Sequence, residues 1–291
     1  MLDNDTQSQK VSDGSFAVQS GRDSYVGMQY SDVKDLVNVL LENNFPRLRA
    51  EAVEESKKYV DDFGEKLIKK MASNFKGDDF SFLSRPSFQA SVNDGVMYVA
   101  RKTNEADLDL VSDLILDKIN NKNDSIVDIV SSEAISMLPR INKNIIAFLS
   151  FNHYLRFLRV VPTIYREVRT SFYYGVNLGC VLSLKEIEPI DKDYVQYLGL
   201  CMSGKHYVKK QYEIMSENAG VKYPEKDYKE KLQPGNFYYD NFLGMSLCMR
   251  KFGIDSLNDF DNLPLSNVAH KIASSYLKVN GVDIKERLKL Y

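Results

Sequence analysis

The chain has 291 residues, a formal net charge of −2, 44% hydrophobic residues and 27% charged residues. These proportions are typical of a globular protein, and the near-neutral charge excludes an overall basic attraction to nucleic acid or to an anionic membrane. The three cysteines, Cys180, Cys201 and Cys248, are odd in number and form no CxxC pair, which speaks against a disulfide framework and predicts reduced thiols in the cytoplasm.

The N-terminal region divides into a polar tail and a β-like arm. Residues 1–14 are polar and acidic, so we expect a disordered tail rather than a signal peptide. Residues 15–30 alternate between apolar and polar positions, which is typical of a short hairpin. Because a lone hairpin is marginal in water, the arm pairs with a second copy, folds back on its own helices or stays disordered. We predict pairing with a second copy, through four apolar side chains: Phe16, Val18, Tyr25 and Val26.

A long amphipathic segment follows the arm. Ser31 is a good N-cap for the first helix, and Pro46 predicts that the chain restarts there as a second helix. Residues 47–74 carry a narrow apolar seam at three- and four-residue steps, which includes Phe63 and Leu67. Such a seam packs either within its own domain or against a partner helix. We predict that these two residues are buried and that they contribute to self-association.

The rest of the pattern predicts a mainly α fold, a multi-helix bundle with the short β-like N-terminal arm attached. Asn104 and Asn142 are expected helix caps in the first half, and Ser266 is one in the second. We predict a helical domain over 31–161 and a second helical region over 162–291, which either stands alone or belongs to the same domain. The expected helices of the first half, after residue 74, cover four stretches: 87–102, 105–119, 125–138 and 144–161.

The most apolar stretch is residues 144–161, which is a candidate for a membrane span by hydropathy alone. His153, Arg156 and Arg159 interrupt it before it could cross a bilayer. We therefore interpret it as a buried helix and expect no membrane partner.

Four motifs occur in order between Gln19 and Phe157. They are QSGRD, YSDVKDLV, FQASVNDGVMYVARKTNEADLDLVSDLILDKI and SIVDIVSSEAISMLPRINKNIIAFLSF. In this order the chain resembles an uncharacterised bacterial protein family that is catalogued only under a pair of locus tags. The resemblance implies a helical protein of bacterial or mobile-element origin, from neighbourhoods such as those of phage defence. It brings no catalytic residues with it.

The sequence carries no recognisable catalytic motif. There is no GxSxG, Walker A or GxGxxG pattern, and the three histidines stand far apart. We interpret His153 and His270 as core histidines that have a hydrogen-bonded partner. Asp109 and Asp113 share a helix face that the pattern marks as solvated. We therefore predict no catalytic residue, no cofactor and no metal site, and an enzyme with an unrecognised acidic site is the most distant alternative.

In the segment 153–174, arginines are interleaved with aromatic residues. A second and weaker segment of this kind follows it, with lysines in place of the arginines. Arginine binds phosphate and aromatic rings stack on bases, so the pattern is compatible with nucleic-acid contact. It is equally typical of core helices whose arginines bind acids such as those at 107–113, and the low net charge favours this second interpretation. The candidate nucleic-acid contacts are Arg156, Arg159, Arg166, Arg169, Lys205 and Lys209.

Taken together, these patterns predict a non-enzymatic, self-associating helical interaction or scaffold protein. A second copy of the chain is the expected partner, and another protein is the next candidate. The main alternative is a nucleic-acid-binding protein that uses the 153–174 segment.

Overall fold

The structure is a computed structural model of the chain. It describes residues 30–74, 85–120, 125–157, 187–202 and 209–281, and it describes side chains from Ala50 onward apart from a few residues beside the gaps. The predicted tail, and the predicted arm except for Tyr30, lie outside the described residues.

The described residues form eleven α-helices and no strand, which confirms the mainly α prediction. Short 3₁₀ turns at Thr103–Glu105, Leu138–Arg140 and Lys226–Tyr228 join some of them. The helices are α1 (Tyr30–Asn74), α2 (Pro86–Lys102), α3 (Leu108–Asn120), α4 (Ser125–Met137), α5 (Lys143–Phe157), α6 (Lys192–Tyr197), α7 (Gln211–Ala219), α8 (Phe237–Asn241), α9 (Leu243–Lys251), α10 (Leu257–Asp261) and α11 (Asn267–Val279).

The chain divides into two compact units, residues 1–55 and residues 56–291. In the second unit α11 packs against α3, α4 and α5, and α2 packs against α3 and α4. The core of this unit therefore joins helices from both halves of the sequence.

Helix α1 is longer than predicted because it does not restart at Pro46. It runs without interruption from Tyr30 to Asn74, which makes 45 residues. Proline removes one helical hydrogen bond and crowds the preceding turn, so it disfavours an interior position without forbidding it. The expected break at this proline is therefore wrong.

Side-chain caps set the starts of several helices. Asn142 Oδ1 accepts the backbone N–H of Ile145 at 2.9 Å, and Ser266 caps α11, as predicted. The predicted cap at Asn104 is wrong: Asp107 Oδ1 accepts the backbone N–H of Leu110 at 2.9 Å instead. The reason is that the chain first makes a 3₁₀ turn at Thr103–Glu105, so α3 starts later than the polar pattern suggests.

At Gly95, side chains of α1 and α3 come close to the backbone of α2. A Cβ at this position would lie 3.1 Å from Phe63, 3.2 Å from Ile115 and 3.3 Å from Val111. These contacts are tighter than an ordinary van der Waals contact, so the absent side chain is what lets the three helices meet. Gly95 therefore has a packing role in the middle of α2, where glycine otherwise weakens a helix.

Candidate functional site

The seam of α1 is buried in the core of the same chain. Phe63 is 1% exposed and Leu67 is 6% exposed, and both belong to the main hydrophobic cluster. The predicted burial is therefore confirmed. Because these side chains are already covered by their own chain, they offer almost no surface to a second copy in this fold.

An acidic row on α3 binds lysines from two other helices. Asp109 pairs with Lys66 and Lys70, at 2.5 and 2.8 Å from their Nζ atoms. Burial alone would raise the pKa of Asp109, but the two lysines outweigh it and hold this pKa below its usual value. One and two turns further along, the row continues with two more acids, which α11 binds: Asp113 with Lys278 at 2.6 Å, and Asp117 with Lys271.

The interpretation of the Asp109 and Asp113 face as solvated is wrong for Asp113, which is 7% exposed. Helical spacing identified the face correctly, but the covering lysine lies 165 residues further along the chain. Sequence spacing within one helix carries no information about such a distant partner.

The turn of α1 that precedes the buried seam is exposed. All six side chains of residues 50–55 are exposed, and Val53 keeps 60% of its surface. The second unit begins at Ser56, whose Oγ donates to the carbonyl of Ala100 at 3.3 Å. This stretch combines an apolar side chain with an open surface, which makes it a candidate interaction surface.

Arg156 lies at the end of α5 and points inward. Its guanidinium Nη2 stands 3.4 Å from Asp261 Oδ1, with 5% and 12% of the two side chains exposed. Its Nε donates to Asn152 Oδ1 at 2.9 Å, and the guanidinium carbon lies 5.0 Å from the centre of the Phe260 ring. Arg156 was predicted as a candidate for phosphate contact. Its guanidinium instead forms an ion pair inside the chain.

Asp261, at the end of α10, binds residues of α7 and of the 3₁₀ turn at Lys226–Tyr228 as well as Arg156 of α5. Both of its carboxylate oxygens accept the backbone N–H of Gln211, at 3.1 and 3.0 Å, and Oδ2 also accepts the hydroxyl of Tyr228 at 2.7 Å. The side-chain Nε2 of Gln211 donates in turn to the carbonyl of Leu155 at 3.1 Å. We call Asn152, Arg156, Gln211, Tyr228 and Asp261 the buried polar cluster.

The electrostatics of the buried polar cluster are dominated by burial. Burial raises the pKa of Asp261 even though the Tyr228 hydroxyl and the Arg156 charge work in the opposite direction. Burial also lowers the pKa of Arg156, against the attraction of Asp261. Each charge is therefore acceptable in the core only because the other is present.

His153, which is 1% exposed, and His270, which is partly buried, form a second pair beside this cluster. Their Nδ1 atoms are 2.9 Å apart, so one ring donates a proton and the other accepts it. Burial lowers the pKa of His153 to about 3 and that of His270 to about 4, so both rings are neutral at neutral pH. This confirms two core histidines with a hydrogen-bonded partner. No signal in the sequence links them, since 117 residues separate the two.

The other sequence candidates are placed as follows. Lys209 is half exposed and pairs with Glu217. Eight residues that were candidates for self-association or nucleic-acid contact lie outside the described residues: Phe16, Val18, Tyr25, Val26, Arg159, Arg166, Arg169 and Lys205.

Two adjoining surface clefts share Lys102, Ile141 and Asn142 in their walls, with volumes of about 220 and 270 Å³. Both clefts are lined by basic and acidic side chains, and the described residues form no ion pair across either opening. Thr103, which follows the shared lysine, has φ 47° and ψ −117°, a strained backbone conformation for a β-branched residue.

Within the described ranges, no group of three or more His, Cys, Asp or Glu side chains could hold a metal ion. In the same part of the chain, no helix has the length and apolar character needed to cross a membrane.

Comparison with known proteins identifies a family for this chain but no individual relative. No curated protein and no solved structure matches the chain significantly. A family model matches residues 27–285, which is most of the chain and extends well past the motifs that carry the resemblance. The match covers the long helix α1 and the second unit as far as residue 285, and the chain therefore belongs to this uncharacterised protein family.

Proposed function

We propose that the protein is a non-enzymatic helical interaction protein that self-associates through the N-terminal part of α1, residues 30–55. The observation that carries the proposal is the exposure of the whole turn 50–55. Ala52 stands seven and eleven residues before Tyr59 and Phe63, so it lies on the face of the helix that is buried further along. Ala52 is nevertheless exposed.

The apolar stripe nevertheless continues towards the N-terminus in the sequence. Leu41, Phe45 and Leu48 precede Ala52 at steps of four, three and four residues. A helix of this kind is stabilised mainly by burial of its apolar face, because its intrinsic propensity is too weak in water. A second helix that covers this stripe would supply that burial.

Charge order favours a second copy in antiparallel orientation as the covering helix. The sequence places Arg47 and Arg49 directly before the acids Glu51, Glu54 and Glu55. Around a two-fold axis between antiparallel helices, the basic end of each stretch faces the acidic end of the other. A parallel pair would instead set like charges side by side, which costs stability.

The test is the particle mass of Leu48→Asp measured by light scattering, with Ile68→Asp as the matched control. Ile68 lies on the same helix, and 67% of its surface is exposed. We expect an assembled parent, half the mass or less for Leu48→Asp with unchanged helical circular dichroism, and the parent mass for Ile68→Asp. A monomeric parent, or a folded Leu48→Asp protein of parent mass, would overturn the proposal.

Nucleic-acid binding is not favoured by the described candidates, because Arg156 and Lys209 both pair with acids of the same chain. The bacterial defence role remains a proposal that rests on the resemblance alone.

A further inference from the structure

Among the residues that the structure describes, two buried polar atoms of the buried polar cluster find no hydrogen-bond partner. They are Nη1 of Arg156, a donor with two protons, and Oε1 of Gln211, an acceptor. The Arg156 side chain is 5% exposed, and Gln211 is fully buried. Buried polar atoms are satisfied in nearly all native proteins, so this donor and this acceptor need a common explanation.

The orientation of the Gln211 amide is fixed by its other end. Nε2 donates to the carbonyl oxygen of Leu155 at 3.1 Å. Exchanging the amide oxygen and nitrogen would set two acceptors against each other and would leave a donor where Oε1 now stands. The unsatisfied acceptor is therefore a property of the fold.

The two atoms belong to the same small region of the core. Gln211 and Arg156 both bind Asp261 Oδ1, the first through its backbone N–H at 3.1 Å and the second through Nη2 at 3.4 Å. The Gln211 side chain also reaches Leu155, the residue next to Arg156.

We propose that Arg156 Nη1 and Gln211 Oε1 hold one buried water molecule. The ligand must accept a hydrogen bond from the guanidinium and donate one to the amide oxygen, and water does both. Chloride and carboxylate anions have no proton to donate to Oε1, and an anion of any kind is disfavoured because Asp261 already balances the Arg156 charge. A cation would be repelled by the guanidinium. The ligand is therefore neutral and small, and it bridges the end of α5 and the start of α7.

A crystal structure of the full chain at about 1.8 Å resolution tests the proposal directly. We expect one ordered water at hydrogen-bond distance, about 2.7–3.2 Å, from both atoms. Empty density at that point, an ion, or a protein side chain in its place would overturn the proposal.

Oxygen-17 relaxation dispersion, which counts long-lived internal waters in solution, gives an independent readout. Gln211→Met keeps the length of the side chain and removes the acceptor, so we expect one fewer internal water. Gln233→Met is the matched control, because Gln233 is exposed, and its count should equal that of the parent. An equal count in folded Gln211→Met would contradict the proposal, and if this variant does not fold, the crystal structure of the parent decides.

Discussion

Two neighbouring parts of α1 show how differently one helix can be used. From Ser56 to Met71 its apolar seam enters the core, where Phe63 is almost completely buried and packs against Gly95 of α2. At residues 50–55 every side chain is exposed, although Ala52 lies on the same face. Helical spacing therefore identifies the face that will be covered, but it does not identify what covers it.

The largest expected effect comes from placing a charge in the buried part of α1. Phe63→Asp should unfold the second unit or cost on the order of 5 kcal/mol, because it removes a buried ring and buries an unpaired carboxylate. Ile68→Asp, on the exposed face of the same helix, should change stability by about 0.5 kcal/mol or less. Urea unfolding measures both, and similar losses for the two variants would show that the buried and exposed faces are misassigned.

A second comparison sets the buried ion pair of Arg156 and Asp261 against the exposed pair of Glu65 and Lys69. Asp261→Ala leaves a buried guanidinium without its counter-charge and should cost about 3–5 kcal/mol. Glu65→Ala breaks a pair whose side chains are 73% and 77% exposed, so the loss should be about 0.5 kcal/mol or less. The ratio of the two losses in denaturant titrations is the measurement, and a ratio near one would contradict the burial of the Arg156 pair.

The pH dependence of stability tests the histidine pair. Below the unfolded-state pKa of 6.5, an unfolded histidine binds a proton that neutral, buried His153 and His270 do not bind until pH falls to about 3 and about 4. The unfolded state then binds more protons, so stability must fall as pH drops below 6.5.

At pH 5 this loss amounts to about 2 kcal/mol for each histidine. The raised pKa of Asp261 works in the opposite direction, because it makes the folded state the better proton acceptor. The measurement is unfolding free energy at pH 7, 6 and 5 for the parent and for His270→Gln. The variant should lose about half of the pH slope, and an unchanged slope would exclude a buried neutral pair.

The smallest effects concern two glycines on neighbouring helices. Gly95→Ala places a methyl group 3.1–3.3 Å from three core side chains, so overpacking should cost about 1–3 kcal/mol, less the gain in helix propensity. Gly64→Ala on α1 meets nothing within 4 Å and should stabilise by about 0.5–1 kcal/mol. Opposite signs in thermal unfolding are the expected result, and stabilisation by both variants would show that the junction at Gly95 has room.

Much of the fold could be predicted from local pattern. The α class, the caps at Asn142 and Ser266, and the burial of Phe63 and Leu67 all follow from helical period and side-chain chemistry within a few residues. The errors at Pro46 and Asn104 are also local, since each position has a competing backbone preference that the surroundings decide.

The buried polar cluster could not be predicted, because its members meet only through tertiary structure. Arg156 and Asp261 are 105 residues apart, and the chain between them carries no sign that they pair. The sequence made Arg156 a candidate for nucleic-acid contact or for pairing with acids such as those at 107–113, and the acid it binds is Asp261. Its partner, an aspartate in a short helix, has no distinguishing sequence context.

The position of α11 has a consequence for how the protein is made. This helix completes the core against α3, α4 and α5, yet it ends at Val279, 122 residues after the end of α5. At ~5–20 residues per second, the ribosome needs ~6–24 s to add those residues. During that interval the apolar faces of the three earlier helices have been synthesised without their cover, so the nascent chain leaves them open to other contacts until α11 emerges.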